Sequence, residues 1–171
     1  TLHLSPMDLL LGRLSSSFKA EAFGGTMTGS FGGTEKRKDV ETEWEKIDLT
    51  SIKNLGNLTV SLAGVVSGKG HFTIQSQGTD GDIRVVIDKA KVKDLKIMNF
   101  PLPELVFDQV RGAGEIKNNL LTFKEVKLQG ENLKGTIKGD VTFGSAPSPA
   151  TLNLKFHIHL SDRTRSSYQG L

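Results

Sequence analysis

The residues with the plainest potential for chemistry are His157 and His159, two positions apart in the alternating stretch Leu152–Leu160. On a strand that spacing puts both imidazoles on one face, an arrangement zinc sites use. No acidic residue follows until Asp162, and His3 and His71 are far off in sequence, so the pair reads as a solvated strand face. Asp39, Glu41, Glu43 and Glu45 suggest calcium by residue type. Alternate side chains on a straight strand stand about 7 Å apart, too far to converge on one ion, and these carboxylates also read as a wet face. Ser15-Ser16-Ser17 has no nucleophile elbow around it, and no Ser-His-Asp ordering stands out. Gly68-Lys69-Gly70 and Gly112-Ala113-Gly114 are not followed by helix signals. A phosphate loop needs helix amides, so both read as bends within strands. The expectation is a protein without catalytic residues, metal or cofactor.

Composition narrows the classes further. Cysteine is absent, which excludes disulfides and thiol chemistry. The net charge of +3 comes from 22 basic and 19 acidic residues that alternate along the chain. Nucleic acid binding needs a concentrated basic face, and none is visible. No run of about 18 apolar residues and no signal peptide occurs, so a soluble domain is expected. The chain opens on Thr1 rather than Met, which suggests a processed or trimmed product with room for a membrane anchor ahead of it.

The elements that must carry these residues are strands. From Pro103 to Phe143 the pattern is a three-strand meander. A first strand ends at Lys117, Asn118-Asn119 turns it, and Leu120–Gln129 returns before a turn at Gly130-Glu131-Asn132. The third strand alternates Leu133, Gly135, Ile137, Gly139, Val141 and Phe143 with polar residues, so glycine repeatedly replaces a large apolar side chain. Such a strand can bend, or let a neighbour approach closely.

Upstream, Leu2–Leu4 is a short strand and Ser5-Pro6 caps one helical turn over Met7–Leu11. Hairpin turns are expected at Gly24-Gly25, Gly32-Gly33 and Gly78–Gly81, and a bulge near Glu45-Lys46, where the apolar phase changes between Trp44 and Ile47. Residues 47–77 repeat the plan of residues 1–31, with a second short helical turn over Ile52–Leu55. Ile83, Val85 and Ile87 alternate, Ala90, Val92, Leu95 and Ile97 continue with one phase change, and Asn99–Pro103 is an extended, proline-restricted crossing. The last strand carries Leu152, Leu154, Phe156, Ile158 and Leu160 on one face. The tail, residues 161–171, is polar and expected to fray. Strands at this spacing argue for a mainly β fold. The architecture expected is one domain over residues 1–171, a single curved, open antiparallel sheet (half-barrel or groove-like) with one or two short helical turns.

The wording of the meander resembles a known family. Leu102-Pro103-Glu104-Leu105-Val106-Phe107, Gly114-Glu115-Ile116, Asn119-Leu120-Leu121-Thr122-Phe123 and the run Gly130–Asp140 are similar to the C-terminal part of the type II secretion system protein N family (general secretion pathway protein N), which is related to the AsmA-like proteins of Gram-negative envelopes. The unit from Leu49 to Ile74 is similar too, so the likeness spans roughly residues 1–143. It implies a β-rich periplasmic domain tethered to the inner membrane by an N-terminal helix that this chain lacks, and no catalytic motif.

Two functions follow as expectations. The first is a non-catalytic periplasmic accessory of the type II secretion system, working through contacts with other components of that machinery. The alternative is an AsmA-like lipid-binding or lipid-transfer domain, with phospholipid or the inner-membrane surface as partner and an apolar concave groove lined by Val66, Phe72, Ile74, Ile137, Val141 and Phe143. In the first case turns and short helices close the apolar face; in the second it stays open.

Overall fold

Segments that alternate apolar and polar residues have one side to bury and one to wet, and they find partners edge to edge. The computed structural model describes residues 2–4, 14–52, 61–94, 96–97, 100–101, 104–131, 133–142 and 151–160. Within these the strands are β1 (Leu2–Leu4), β2 (Leu14–Ala22), β3 (Gly25–Gly33), β4 (Arg37–Asp48), β5 (Ser61–Gln75), β6 (Gly78–Lys93), β7 (Lys96–Ile97), β8 (Phe100–Pro101), β9 (Leu105–Lys117), β10 (Leu120–Gln129), β11 (Leu133–Thr142) and β12 (Thr151–Leu160). Ten of them form one antiparallel sheet in the order β1-β2-β3-β4-β5-β6-β9-β10-β11-β12. It is an up-and-down meander interrupted once, where β7 and β8 pair only with each other and β6 goes on to pair with β9. Among the described residues β1 and β12 have no outer partner, so the sheet is open and not closed into a barrel. The crossing expected at Asn99–Pro103 thus contains one strand of a two-residue ladder, Lys96–Pro101 and Ile97–Phe100.

Three irregularities keep the apolar residues on one side over these long strands. The β4–β5 register shifts between Trp44 and Ile47, where Lys46 has φ +55° and donates its backbone N–H to Ser67 Oγ at 3.0 Å. This is the bulge expected from the phase change at Glu45-Lys46. A second shift falls between Ala63 and Val65, opposite Lys89 at φ +52°, and accounts for the change between Ile87 and Ala90. A third lies in β10 at Lys124, between Phe123 and Glu125.

The β9–β10 turn is Asn118-Asn119 as expected, with φ +49° and +66°, the pair of left-handed residues that a two-residue hairpin demands. Of three glycine-rich stretches expected as turns, Gly32-Gly33 and Gly78–Gly81 are strand instead, and at Gly24-Gly25 the turn keeps Gly24 but lies one residue earlier. The first hairpin turns at Phe23-Gly24, the second at Thr34–Lys36 and the third at Ser76-Gln77. The reason is space. A Cβ on Gly25 would run into the Glu45 carbonyl, one on Gly33 into the Arg37 carbonyl, and one on Gly81 into the His71 carbonyl. These glycines let the neighbouring strand pass.

One short helical element is described, a 3-10 turn at Leu49–Ser51, capped by Asp48 Oδ1 accepting from the Thr50 N–H at 2.9 Å. The helical turn expected at Met7–Leu11, most of that at Ile52–Leu55, Phe143 and the tail from residue 161 lie outside the described residues. Burial is sparse. Among the described residues the buried apolar side chains are Ile47, Ala90, Phe107, Ile116, Leu121 and Leu133, and no large side chain is fully enclosed. Ala90, Phe107 and Leu133 form one buried cluster, with Ile87, Val92, Leu105, Val110 and Leu128 packed against it. A sheet normally buries one face against a second layer, and the described residues supply none.

Candidate functional site

Residues directly opposite each other on neighbouring antiparallel strands project to the same side, so the registers trace each face across the sheet. One row runs Phe31, Val40, Phe72, Gly81, Ile116, Leu121, Val141 from β3 to β11. A second runs Trp44, Gly68, Val85, Gly112, Val126, Ile137, Phe156 from β4 to β12. A third joins Val66, Ile87, Val110, Leu128 and Gly135. Val66, Phe72, Ile74, Ile137 and Val141, expected from the sequence to line one surface, therefore share one face, spread over β5 and β11.

This face carries little besides apolar side chains and glycine, and it is incompletely covered. Val66, Phe72, Ile137 and Val141 are half-buried, while Phe31 is 38% exposed, Ile74 43%, Ile158 49% and Phe156 57%. Its relief is kept low by rings lying across glycines. A Cβ on Gly68 would stand 2.8 Å from the Trp44 indole, and one on Gly29 would stand 2.6 Å from the Phe18 ring. Strands lie about 4.8 Å apart, so the rows from β3 to β12 span on the order of 35 Å measured along the sheet. Half the hydrocarbon core of a bilayer is about 15 Å thick, so the face has room for extended acyl chains. The middle of the first row is closed, with Ile116 and Leu121 each 7% exposed, so the apolar surface left open lies at Phe31, Ile74, Phe156 and Ile158. Open apolar surface of this kind marks an interaction site where it is contiguous.

The opposite face is charged. Ser17, Ser30, Glu41, His71 and Asp82 are successive cross-strand partners and line an open cleft of about 630 Å³. Sequence reasoning missed this juxtaposition, because it depends on where the hairpins turn. A turn at Gly78–Gly81 would pair His71 with Asp88, whereas the turn at Ser76-Gln77 sets it against Asp82. The geometry does not make a triad. Ser30 and His71 are two strands apart, about 9.5 Å at the usual spacing, and no side-chain hydrogen bond joins serine, histidine and acid among the described residues. The nearest built polar contact is at Asp39, which accepts from Thr73 Oγ1 at 2.7 Å and pairs with Arg37 at 3.1 Å. The Arg37 guanidinium, helped by the Thr73 hydroxyl, holds that carboxyl below the usual carboxylate range. Glu41, Glu43 and Glu45 are exposed on the same face. Ser16, by contrast, sits with the apolar rows opposite Phe31, buried and without a hydrogen-bond partner among the described residues.

No family model matches the chain, and no curated protein or solved structure matches it either. Function has to be argued from the two faces.

His157 and His159 are exposed on the charged face, opposite Thr136 and Lys134. Lysine beside a histidine repels a cation rather than helping to hold one. Replacing both histidines by alanine should leave the melting midpoint unchanged within error, and calorimetric titration of the wild type with Zn²⁺ should show no stoichiometric uptake. Tight zinc binding that disappears in the double variant would establish a metal site here.

Proposed function

We propose that this domain is a non-catalytic binder of acyl chains, and that the apolar face is where lipid lies. The observation that carries the reading is the continuity of the apolar rows from β3 to β12 with no described element packed over them. The charged face keeps the domain in water, while the apolar face offers hydrocarbon chains a dry surface without asking for any specific polar contact. Together with the resemblance to the type II secretion protein N family and the AsmA-like proteins, this favours a periplasmic domain tethered to the inner membrane that handles phospholipid.

The test is direct. Protein purified from an envelope extract should carry phospholipid detectable by mass spectrometry, and a fluorescent fatty acid should bind saturably. Ile74→Asp, at a position already 43% exposed, and Ile137→Asp should each remove most of that binding while the β circular dichroism persists. If both variants fold and still bind lipid as the wild type does, the reading is wrong.

A second reading is an accessory role in type II secretion through protein contacts. The outer side of β12, unpartnered among the described residues, favours it, because an open strand edge is a ready template for another chain.

A further inference from the structure

The last described strand, β12, pairs with β11 along its whole length and with nothing described on its other side. It has ten residues, an unbroken register, no proline and no bulge. Those last two are among the devices that normally blunt an edge strand. Among the described residues three quantities are left uncompensated along it. The first is the row of backbone N–H and C=O groups on its outer side. The second is apolar surface, because Phe156 is 57% exposed and Ile158 49%. The third is charge. On the polar side Lys155 and His157 are exposed, with Lys138 and Thr136 in register behind them on β11. Lys138 and Lys155 form no ion pair among the described residues, whereas Lys124 and Lys127 one strand further in reach Glu115 and Glu125.

We propose that the outer edge of β12 accepts an extended strand of a partner protein in which apolar and acidic residues alternate. The added strand continues the ladder, lays its apolar side chains beside Phe156 and Ile158, and sets its carboxylates opposite Lys155 and His157. This is strand addition, in which main-chain bonds supply affinity and alternate side chains supply choice. The proposal rests on the interaction reading above in taking a protein as partner, and is independent of lipid on the apolar face. The other occupants fit less well. A second copy's β12 brings no acidic residue, and the two central antiparallel registers that keep the faces aligned set Lys155 against Lys155, a like-charge cost, or against His157, so neither supplies a carboxylate. A bilayer leaves the backbone row unpaired, which hydrocarbon does not tolerate. The required pattern already exists within the chain, as Asp39-Val40-Glu41-Thr42-Glu43-Trp44-Glu45, but that strand is enclosed between β3 and β5.

A synthetic peptide with the sequence of residues 39–45 is therefore the probe, with a control peptide carrying lysine at each acidic position. By fluorescence anisotropy on the full chain, the acidic peptide should bind at least tenfold more tightly than the control, and more weakly as salt rises. Backbone amides of β12 should gain hydrogen-exchange protection in its presence. Lys138→Glu with Lys155→Glu should reverse the preference between the two peptides. His157→Glu, which keeps both lysines, should weaken the acidic peptide by itself. Circular dichroism checks the fold of each variant, and fatty-acid binding by the same proteins should be unchanged, so failure of this proposal and failure of the lipid reading are seen separately. Equal binding of the two peptides, protection elsewhere than β12, or self-association through β12 that excludes the peptide would overturn the proposal.

Discussion

Phe107→Ala should lower the free energy of unfolding by about 3–5 kcal/mol, the largest loss available to a single side chain in the described core. Phe107 is 5% exposed and lies on β9, where it clusters with Ala90 of β6 and Leu133 of β11. A typical domain is stable by about 5–15 kcal/mol, so the change removes a third of that or more. The cost is high because the cluster has no second layer to collapse onto the cavity, and the rows around it are already half open to water. Phe156→Ala deletes the same atoms at a site 57% exposed and should cost roughly 1 kcal/mol or less. Urea denaturation of the two variants, with unchanged slopes, reads the difference. Near-equal midpoints would mean that the sheet is not held by the Ala90–Phe107–Leu133 cluster.

The same shortage of burial ties stability to function. Apolar area contributes about 25 cal/mol per Å² when removed from water, and most of the apolar face is only partly removed. On the proposed reading a hydrocarbon ligand would complete what folding leaves undone, and lipid bound to the folded sheet alone would raise its stability by mass action. The glycines act in the same direction. By letting rings such as Trp44 and Phe18 lie down across the backbone, they produce a surface that is apolar without being deep.

Much of this was legible from alternation alone. The strand count in the C-terminal half, the Asn118-Asn119 turn, the Lys46 bulge and the shared face of Val66, Phe72, Ile74, Ile137 and Val141 all follow from a period of two and its interruptions. Glycine was ambiguous. At Gly32-Gly33 and Gly78–Gly81 it reads as a turn, yet the chain turns at Thr34–Lys36 and Ser76-Gln77, and the glycines admit a neighbouring carbonyl. Local sequence signals a glycine's freedom but not the long-range contact that uses it. That error also hid the Glu41–His71–Asp82 row, because cross-strand partners depend on the position of every turn between them. The alternation of β12 was visible in Leu152, Leu154, Phe156, Ile158 and Leu160, but the exposure of Phe156 and Ile158, and that no strand follows on the outer side among the described residues, needed the structure.

Gly139→Val should destabilise the fold by roughly 2–4 kcal/mol, even though valine outranks glycine as a strand former by up to ~1 kcal/mol. Two separate costs oppose it. Gly139 has φ +140°, a conformation that β-branched residues scarcely adopt, at about 1–3 kcal/mol of strain. A Cβ there would also run into the Asn153 carbonyl oxygen and stand 3.0 Å from Leu154 Cα on β12, an overpacking cost of about 1–3 kcal/mol against backbone that cannot rotate away. Gly112 separates these terms from simple loss of a glycine. Its φ is ordinary, and an added Cβ would meet only the Val126 side chain, at 3.0 Å. Gly112→Ala should therefore be tolerated within about 1 kcal/mol, while Gly139→Ala should retain most of the valine penalty. Because the clash at Gly139 is with β12, the loss should appear first as faster hydrogen exchange along the β11–β12 ladder. A denaturation midpoint for Gly139→Val at or above the wild type would mean that β12 moves aside freely, and a strand that loosely held could not serve as the platform for another.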